Sequence, residues 1–163
     1  MSEILQKQLF DSGWYTLSEL DSMVGRLDAA MRQVLLPNGK GGYSGVVALH
    51  GPMGSGKTTL VNALCQFWGV KGGTASATFG LVNAYKAGDW FIFHQDLYRL
   101  SGEEEAWELG LSEYFEADAL NLVEWPERAP GLMPNDALLL ELQVEEASDS
   151  PERRAILWQM EAS

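Results

Sequence analysis

Apolar positions in this chain follow two periods, and the switches between them mark out the elements. Leu20, Met23, Val24, Leu27 and Met31 recur every three or four residues, which predicts an amphipathic helix. Ser18 is its expected cap, with Asp21 three residues on as an acidic variant of the capping box. The fifteen residues before it are mixed in pattern and are expected to be only partly ordered. Residues 37–42 (Pro-Asn-Gly-Lys-Gly-Gly) read as a flexible loop. Val46, Val47, Ala48 and Leu49 form a short apolar run that predicts a buried strand over 46–50. A helical pattern follows over 59–68 and stops at Gly69. Residues 71–78 are small and polar and read as a mobile loop. Strands are expected over 79–85 and 90–94, joined by a turn at 86–89 as an antiparallel hairpin. Ser101-Gly102-Glu103-Glu104 fits a capping box opening a short helix, and a second short helix is expected over 111–115. The run 119–125 is a buried strand that ends in acid. Pro126, Pro130 and Pro134 punctuate the next loop, and strands are expected over 137–144 and 153–160 around an acidic turn. The sum is an α/β domain with a mixed sheet.

One stretch carries chemistry on its face. Gly51-Pro52-Met53-Gly54-Ser55-Gly56-Lys57-Thr58-Thr59 fits G-x-x-x-x-G-K-[ST], and it lies between the strand at 46–50 and the helix at 59–68. Strand, glycine loop, helix is the order in which such a loop wraps phosphates with backbone N–H groups at a helix N-terminus. In this reading Gly51, Gly54, Ser55, Gly56 and Thr59 line the nucleotide, Lys57 reaches its β- and γ-phosphates, and the Thr58 hydroxyl binds Mg²⁺. The fold expected is a P-loop NTPase-like three-layer α/β domain spanning residues 1–163.

Composition narrows the partners. The chain has 163 residues with 23 acidic and 11 basic side chains, a net charge of −12. That argues against a broad grip on nucleic acid, which needs a basic face to displace counterions, so any role near RNA goes through a basic partner. Cys65 is the single cysteine, on a face expected to be buried, and a reducing cytoplasm is the natural compartment. No signal-peptide pattern is seen, and no run approaches the ~20 apolar residues of a membrane span, so a cytoplasmic protein without membrane contact is expected.

Magnesium on a triphosphate calls for an acid at the end of a neighbouring strand. Glu124 closes the run Leu120-Asn121-Leu122-Val123, and Asp96 follows the strand at 90–94. Both would emerge at the carboxyl edge of the sheet, where α/β folds bind ligands, and the alternative for either is a solvated strand-end acid. Thr78, in the loop at 71–78, is a candidate for ordering that loop around a γ-phosphate or Mg²⁺, or else an ordinary loop threonine. His94 has no metal-binding neighbours in sequence and is expected to hydrogen-bond near Asp96. Tyr98 and Arg99 suit partner contact or bracing of the loop. Trp125 is expected either to pack in the core or to shield the magnesium site.

Taken together the motifs resemble the bacterial TsaE (YjeE) family, the small ATPase of tRNA threonylcarbamoyladenosine biosynthesis. The resemblance runs from about residue 46 to 142. Beside the phosphate loop, the family's S-P-T-F loop matches Ser76-Ala77-Thr78-Phe79, and its H-x-D-x-Y-R element matches His94, Asp96, Tyr98 and Arg99. Its L-G-x-x-E-Y-F element matches residues 109–115, and its E-W-P element matches Glu124-Trp125-Pro126. The resemblance implies ATP binding, slow hydrolysis, Mg²⁺ ligation by Thr58 and Glu124, and catalytic work by Lys57, Asp96, Glu124 and Thr78. It implies action with TsaB and TsaD, and contact with tRNA indirectly through that complex. It also puts Asp21 where the family often has a threonine by the adenine, with Thr16 nearby but out of register. Ala77 stands for the family's proline, Gly80 for a usual threonine, and the family's C-terminal arginine is either Arg153 or Arg154.

Three rival readings share the loop. A small-molecule kinase would need an acceptor pocket and an arginine-bearing lid, for which Arg128 alone is weak support. A GTPase would carry N-K-x-D, which is absent. A nucleotide-gated interaction module overlaps with the family reading, because the ATP state would govern assembly.

Overall fold

A computed structural model of the chain describes residues 4–72, 80–146 and 149–162. In chain order the elements are β1 (Ile4–Tyr15), α1 (Leu20–Arg32), β2 (Leu36–Pro37), β3 (Tyr43–His50), α2 (Lys57–Phe67), β4 (Val82–Ala87), β5 (Trp90–Asp96), α3 (Glu103–Glu108), β6 (Ala119–Glu124), β7 (Leu138–Glu145) and β8 (Glu152–Ala162). Short 3-10 turns cover Leu17–Glu19, Leu111–Glu116, Pro126–Arg128 and Pro130–Leu132.

The sheet runs β1-β8-β7-β3-β6-β5-β4, with β2 paired to β3. Its centre, β7-β3-β6-β5, is parallel, and the outer pairs β1-β8, β7-β8 and β4-β5 are antiparallel. A central parallel strand is covered on both faces, so it needs apolar side chains in both directions. β6 is buried along its whole length and meets this with Ala119, Leu120, Leu122 and Val123, while Asn121 and Glu124 are buried polar exceptions. Alternation then sorts the side chains into two layers. Val47, Leu49, Leu120 and Leu122 pack under α1 and α2, while Val46 and Val123 join Leu97, Ala106, Leu111 and Leu132 on the other face. Helix α1 is fixed to its layer by a buried acid. Asp28 accepts hydrogen bonds from the Tyr43 hydroxyl at 2.9 Å, Trp68 Nε1 at 2.8 Å and Arg32 Nε at 2.7 Å.

The mixed α/β architecture is the one the sequence predicts, and the differences have physical causes. Residues 4–15 form a long edge strand, not a partly ordered segment. Its pairing with β8 slips register between Gln8 and Phe10 and again between Asp11 and Trp14, which breaks the alternation that would announce a strand. The same bulges blunt an otherwise open sheet edge. Thr16, not Ser18, caps the chain here, and it caps the 3-10 turn Leu17–Glu19 that leads into α1, whose own N-cap is Glu19. The Glu19 carboxylate accepts the Thr16 backbone N–H at 3.1 Å and hydroxyl at 3.0 Å, which leaves Asp21 exposed in the first turn of α1. At α3 the acid that takes the Ser101 N–H and hydroxyl is Glu105, at 2.9 and 2.6 Å, and not Glu104. The hairpin forms as β4 and β5, and the helix expected at 111–115 is a 3-10 turn entered through left-handed Gly110. Among the described residues no helix is long and apolar enough to cross a membrane.

Candidate functional site

The parallel pairing of β3, β5 and β6 brings three carboxyl ends to one edge of the sheet. Leu49 is in register with Glu124, and Glu124 with Asp96. The chain leaves β3 at His50, turns through residues 51–56 and enters α2 at Lys57. Two glycines make that turn feasible. A Cβ on Gly51 would lie 2.7 Å from Ser55 Oγ and 2.9 Å from the Leu142 carbonyl oxygen. Gly56 precedes the helix at φ 95°, a left-handed conformation that costs any other residue roughly 1 kcal/mol or more.

A cleft of about 400 Å³ opens above the loop, lined by residues 53–59 together with Asp96, Tyr98, Glu124, Trp125 and Arg153. Of the residues singled out in sequence, it gathers Gly54, Ser55, Gly56, Lys57, Thr58, Thr59, Asp96 and Glu124. Gly51 shapes the loop from below, and Asp21 is not among the lining residues. Thr78 lies outside the described residues. A slightly larger cleft of about 450 Å³ occupies the opposite end of the strands, around Leu36, Gly45, Asp118 and Leu138, away from every candidate residue.

The side chains of the upper cleft are tightly tied. Lys57 is buried, and its ammonium donates to the Gly51 carbonyl and, at 3.4 Å, to that of Pro52. The Trp125 ring covers it, with Nζ 3.9 Å from the ring centroid. Burial pushes the Lys57 ammonium below the usual lysine range, against the pull of Glu124, Glu127 and Asp96. Trp125 takes φ 58°, the one left-handed non-glycine among the described residues, although a proline follows it. Tyr98 packs on its ring at 5.1 Å, and the Arg128 guanidinium lies 5.3 Å from the Tyr98 ring. Glu124 is 2% exposed. The Thr58 hydroxyl donates to its two carboxylate oxygens at 3.0 and 3.1 Å, and His94 Nε2 donates to Oε2 at 2.5 Å.

Three of these relations go beyond the sequence reading. His94 bonds to Glu124, the ladder partner of Asp96, and not to Asp96 itself. Period-two spacing puts His94 on the same face as Asp96, but the partner across the ladder cannot be read from one strand. Trp125 in part does both things that the sequence left open as alternatives: it packs against the core layer of Val46, Val123 and Leu97, and it covers Lys57; its left-handed backbone has no signal in sequence. The two arginines that the sequence left as alternatives take different places. Arg153 lines the cleft, with Nη2 3.5 Å from the Gly54 carbonyl, whereas Arg154 pairs with Asp11.

The donor set suits an anion and a hard cation together. Two buried polar atoms beside the loop, Ser55 Oγ and Arg153 Nε, lack a hydrogen-bond partner. With the loop N–H groups and the Lys57 ammonium they can face phosphate oxygens. Thr58, Glu124 and Asp96 supply oxygens of the kind Mg²⁺ takes. Among the described residues no cluster of three or more His, Cys, Asp or Glu could hold a metal by itself, so such an ion would rely on phosphate and water for most of its ligands.

A glycine loop between a central parallel strand and a helix, facing acids from the two next strands, is the P-loop fold. The comparison with solved structures agrees: the chain superposes on a crystal structure of Bacillus subtilis YdiB with a TM-score of 0.61 at 24% identity, covering 98% of this chain and 87% of that one. The family model described as "Threonylcarbamoyl adenosine biosynthesis protein TsaE" matches residues 18–156, and the chain belongs to the TsaE family. It is 38% identical over 97 residues to the Haemophilus influenzae protein named tRNA threonylcarbamoyladenosine biosynthesis protein TsaE, a match covering 60% of this chain and 61% of that one. Against the TsaE of the same name from Borreliella burgdorferi it is 38% identical over 105 residues, 63% of this chain and 72% of that one. The Synechocystis TsaE is 38% identical over 91 residues, which are 53% of this chain and 57% of that one. The chain thus spans about three fifths of the length of the first and last of these relatives.

Proposed function

We propose that this chain binds and slowly hydrolyses ATP with Mg²⁺ as a subunit of the machinery that forms N6-threonylcarbamoyladenosine in tRNA, acting with TsaB and TsaD in the cytoplasm. The observation that carries the reading is the cleft in which the phosphate loop faces Thr58, Asp96 and Glu124, in a chain of the TsaE family. The loop amides and Lys57 would hold the β- and γ-phosphates, and Arg153 would add a second cation beside Gly54 and Gly56. Thr58 and Glu124 would hold magnesium. When bound, that ion supplies positive charge against the phosphate oxygens as negative charge shifts between them. Asp96 would support the metal or the attacking water, and Thr78 would offer its hydroxyl to the γ-phosphate or Mg²⁺. Trp125 covers Lys57 and Tyr98 packs on Trp125, a stack that would limit water on the Lys57 side and so strengthen the charge contacts made there. With a net charge of −12, the chain would reach tRNA through its partners and not by its own surface.

The test is a magnesium titration of ATPase activity beside ATP binding in EDTA. Glu124→Ala should lose magnesium-dependent turnover more than nucleotide affinity, because the loop amides remain. Wild-type magnesium dependence in a folded Glu124→Ala protein would remove Glu124 as ligand and leave Asp96 in its place.

A further inference from the structure

Glu124 is a carboxylate buried to 2% exposure, and a group so placed needs hydrogen-bond donors on fixed supports. Thr58 provides one, but its hydroxyl lies 3.0 Å from Oε1 and 3.1 Å from Oε2 and so does not distinguish the two oxygens. His94 does. Its ring is 6% exposed, it stands on the central strand β5, and its Nε2 touches Oε2 alone, at 2.5 Å. A carboxylate oxygen only accepts, so the ring carries its proton on Nε2. In the ladder His94 is level with Leu122, two residues short of Glu124, so this contact runs along the strands and adds nothing to the pairing of β5 with β6.

We propose that His94 is a positioning residue for Glu124: it ties down Oε2, breaks the symmetry left by Thr58 and leaves Oε1, which shares only the Thr58 hydroxyl, as the oxygen that takes a cation. This rests on the reading of Glu124 as a magnesium ligand. The physical pattern is that of a partner behind a ligand, which fixes the ligand's orientation and whose loss costs roughly 10–100-fold in metal affinity.

The experiment compares reach at constant chemistry. The glutamine amide of His94→Gln can extend about as far as Nε2, whereas His94→Asn and His94→Thr stop short of Glu124. The readout is equilibrium affinity for a non-hydrolysable ATP analogue, measured with Mg²⁺ and again in EDTA, with circular dichroism to verify folding. The short variants should lose roughly tenfold or more of the affinity gained from magnesium and keep the EDTA value, while His94→Gln restores most of the gain. Wild-type gain in the short variants, or equal loss in all three, overturns the positioning role and leaves the ATP reading standing. Failure of both short variants to fold beside a folded His94→Gln assigns His94 a structural task and overturns it too. Absence of any magnesium gain in the wild type overturns the magnesium reading itself, and this role with it.

Discussion

Lys57 and Gly51 depend on each other, because the lysine's ammonium is held by the glycine's carbonyl while the glycine's missing side chain gives the loop its room. A Cβ at Gly51 would stand 2.7 Å from Ser55 Oγ and 2.9 Å from a backbone oxygen of β7, and backbone does not move aside cheaply. Gly51→Ala should therefore lose about 1–3 kcal/mol of stability, the usual cost of overpacking, together with nucleotide affinity. Urea denaturation and nucleotide titration measure the two. A variant as stable as wild type would mean that the loop relaxes away from β7 without cost. Trp125 states the same dependence from above. Its left-handed backbone stores strain of order 1 kcal/mol or more, held in place by the contacts its ring makes with Lys57 and Tyr98.

Strand β1 is held to β8 by a pair whose strength follows pH. The Arg154 guanidinium donates to both Asp11 carboxylate oxygens, at 3.0 and 2.5 Å. That contact, helped by the Gly13 N–H and opposed by partial burial, lowers the Asp11 carboxyl from its ordinary 3.8 to about 2. A carboxyl lowered in the folded state stabilises above its unfolded value and loses that contribution as pH falls through the folded one. Asp11→Asn should thus cost up to about 1 kcal/mol at pH 7, the upper end for a partly exposed pair, and the gap to wild type should close between about pH 4 and pH 2. Denaturant midpoints of both proteins across that range test it, and a gap constant with pH would contradict it. The same strand marks the limit of what the sequence makes legible. β3, α2, β5, β6 and β7 were readable because each is local: an apolar run or a helical period with clear punctuation. β1 was not, because two register slips destroy its alternation, and only β8, more than 130 residues away, makes it a strand. In the site, the loop motif and the strand-end acids were legible for the same local reason. The bond from His94 to Glu124 and the cover of Trp125 over Lys57 depend on which strands lie side by side, which no single segment encodes.

At the scale of the whole molecule, the parallel centre of the sheet aims the phosphate loop, Asp96 and Glu124 at one edge, while the antiparallel flanks bring in Arg153 from β8. The chain is acidic overall, and this cleft sets Lys57 and Arg153 beside Asp96 and Glu124, so it offers cations to a phosphate and carboxylates to a metal ion at once. In the proposed function Lys57 organises this cleft as an ATP site. The direct measurement is equilibrium titration of the protein and of Lys57→Ala with ATP and with GTP, each with Mg²⁺, with the fold of the variant checked by circular dichroism. ATP should bind in preference to GTP, because no guanine-reading motif is present, and the folded variant should lose roughly 1.5–3 kcal/mol of ATP affinity, the worth of a charge-assisted phosphate contact. A folded Lys57→Ala protein that binds ATP as tightly as wild type, or a wild type that prefers GTP, would contradict it.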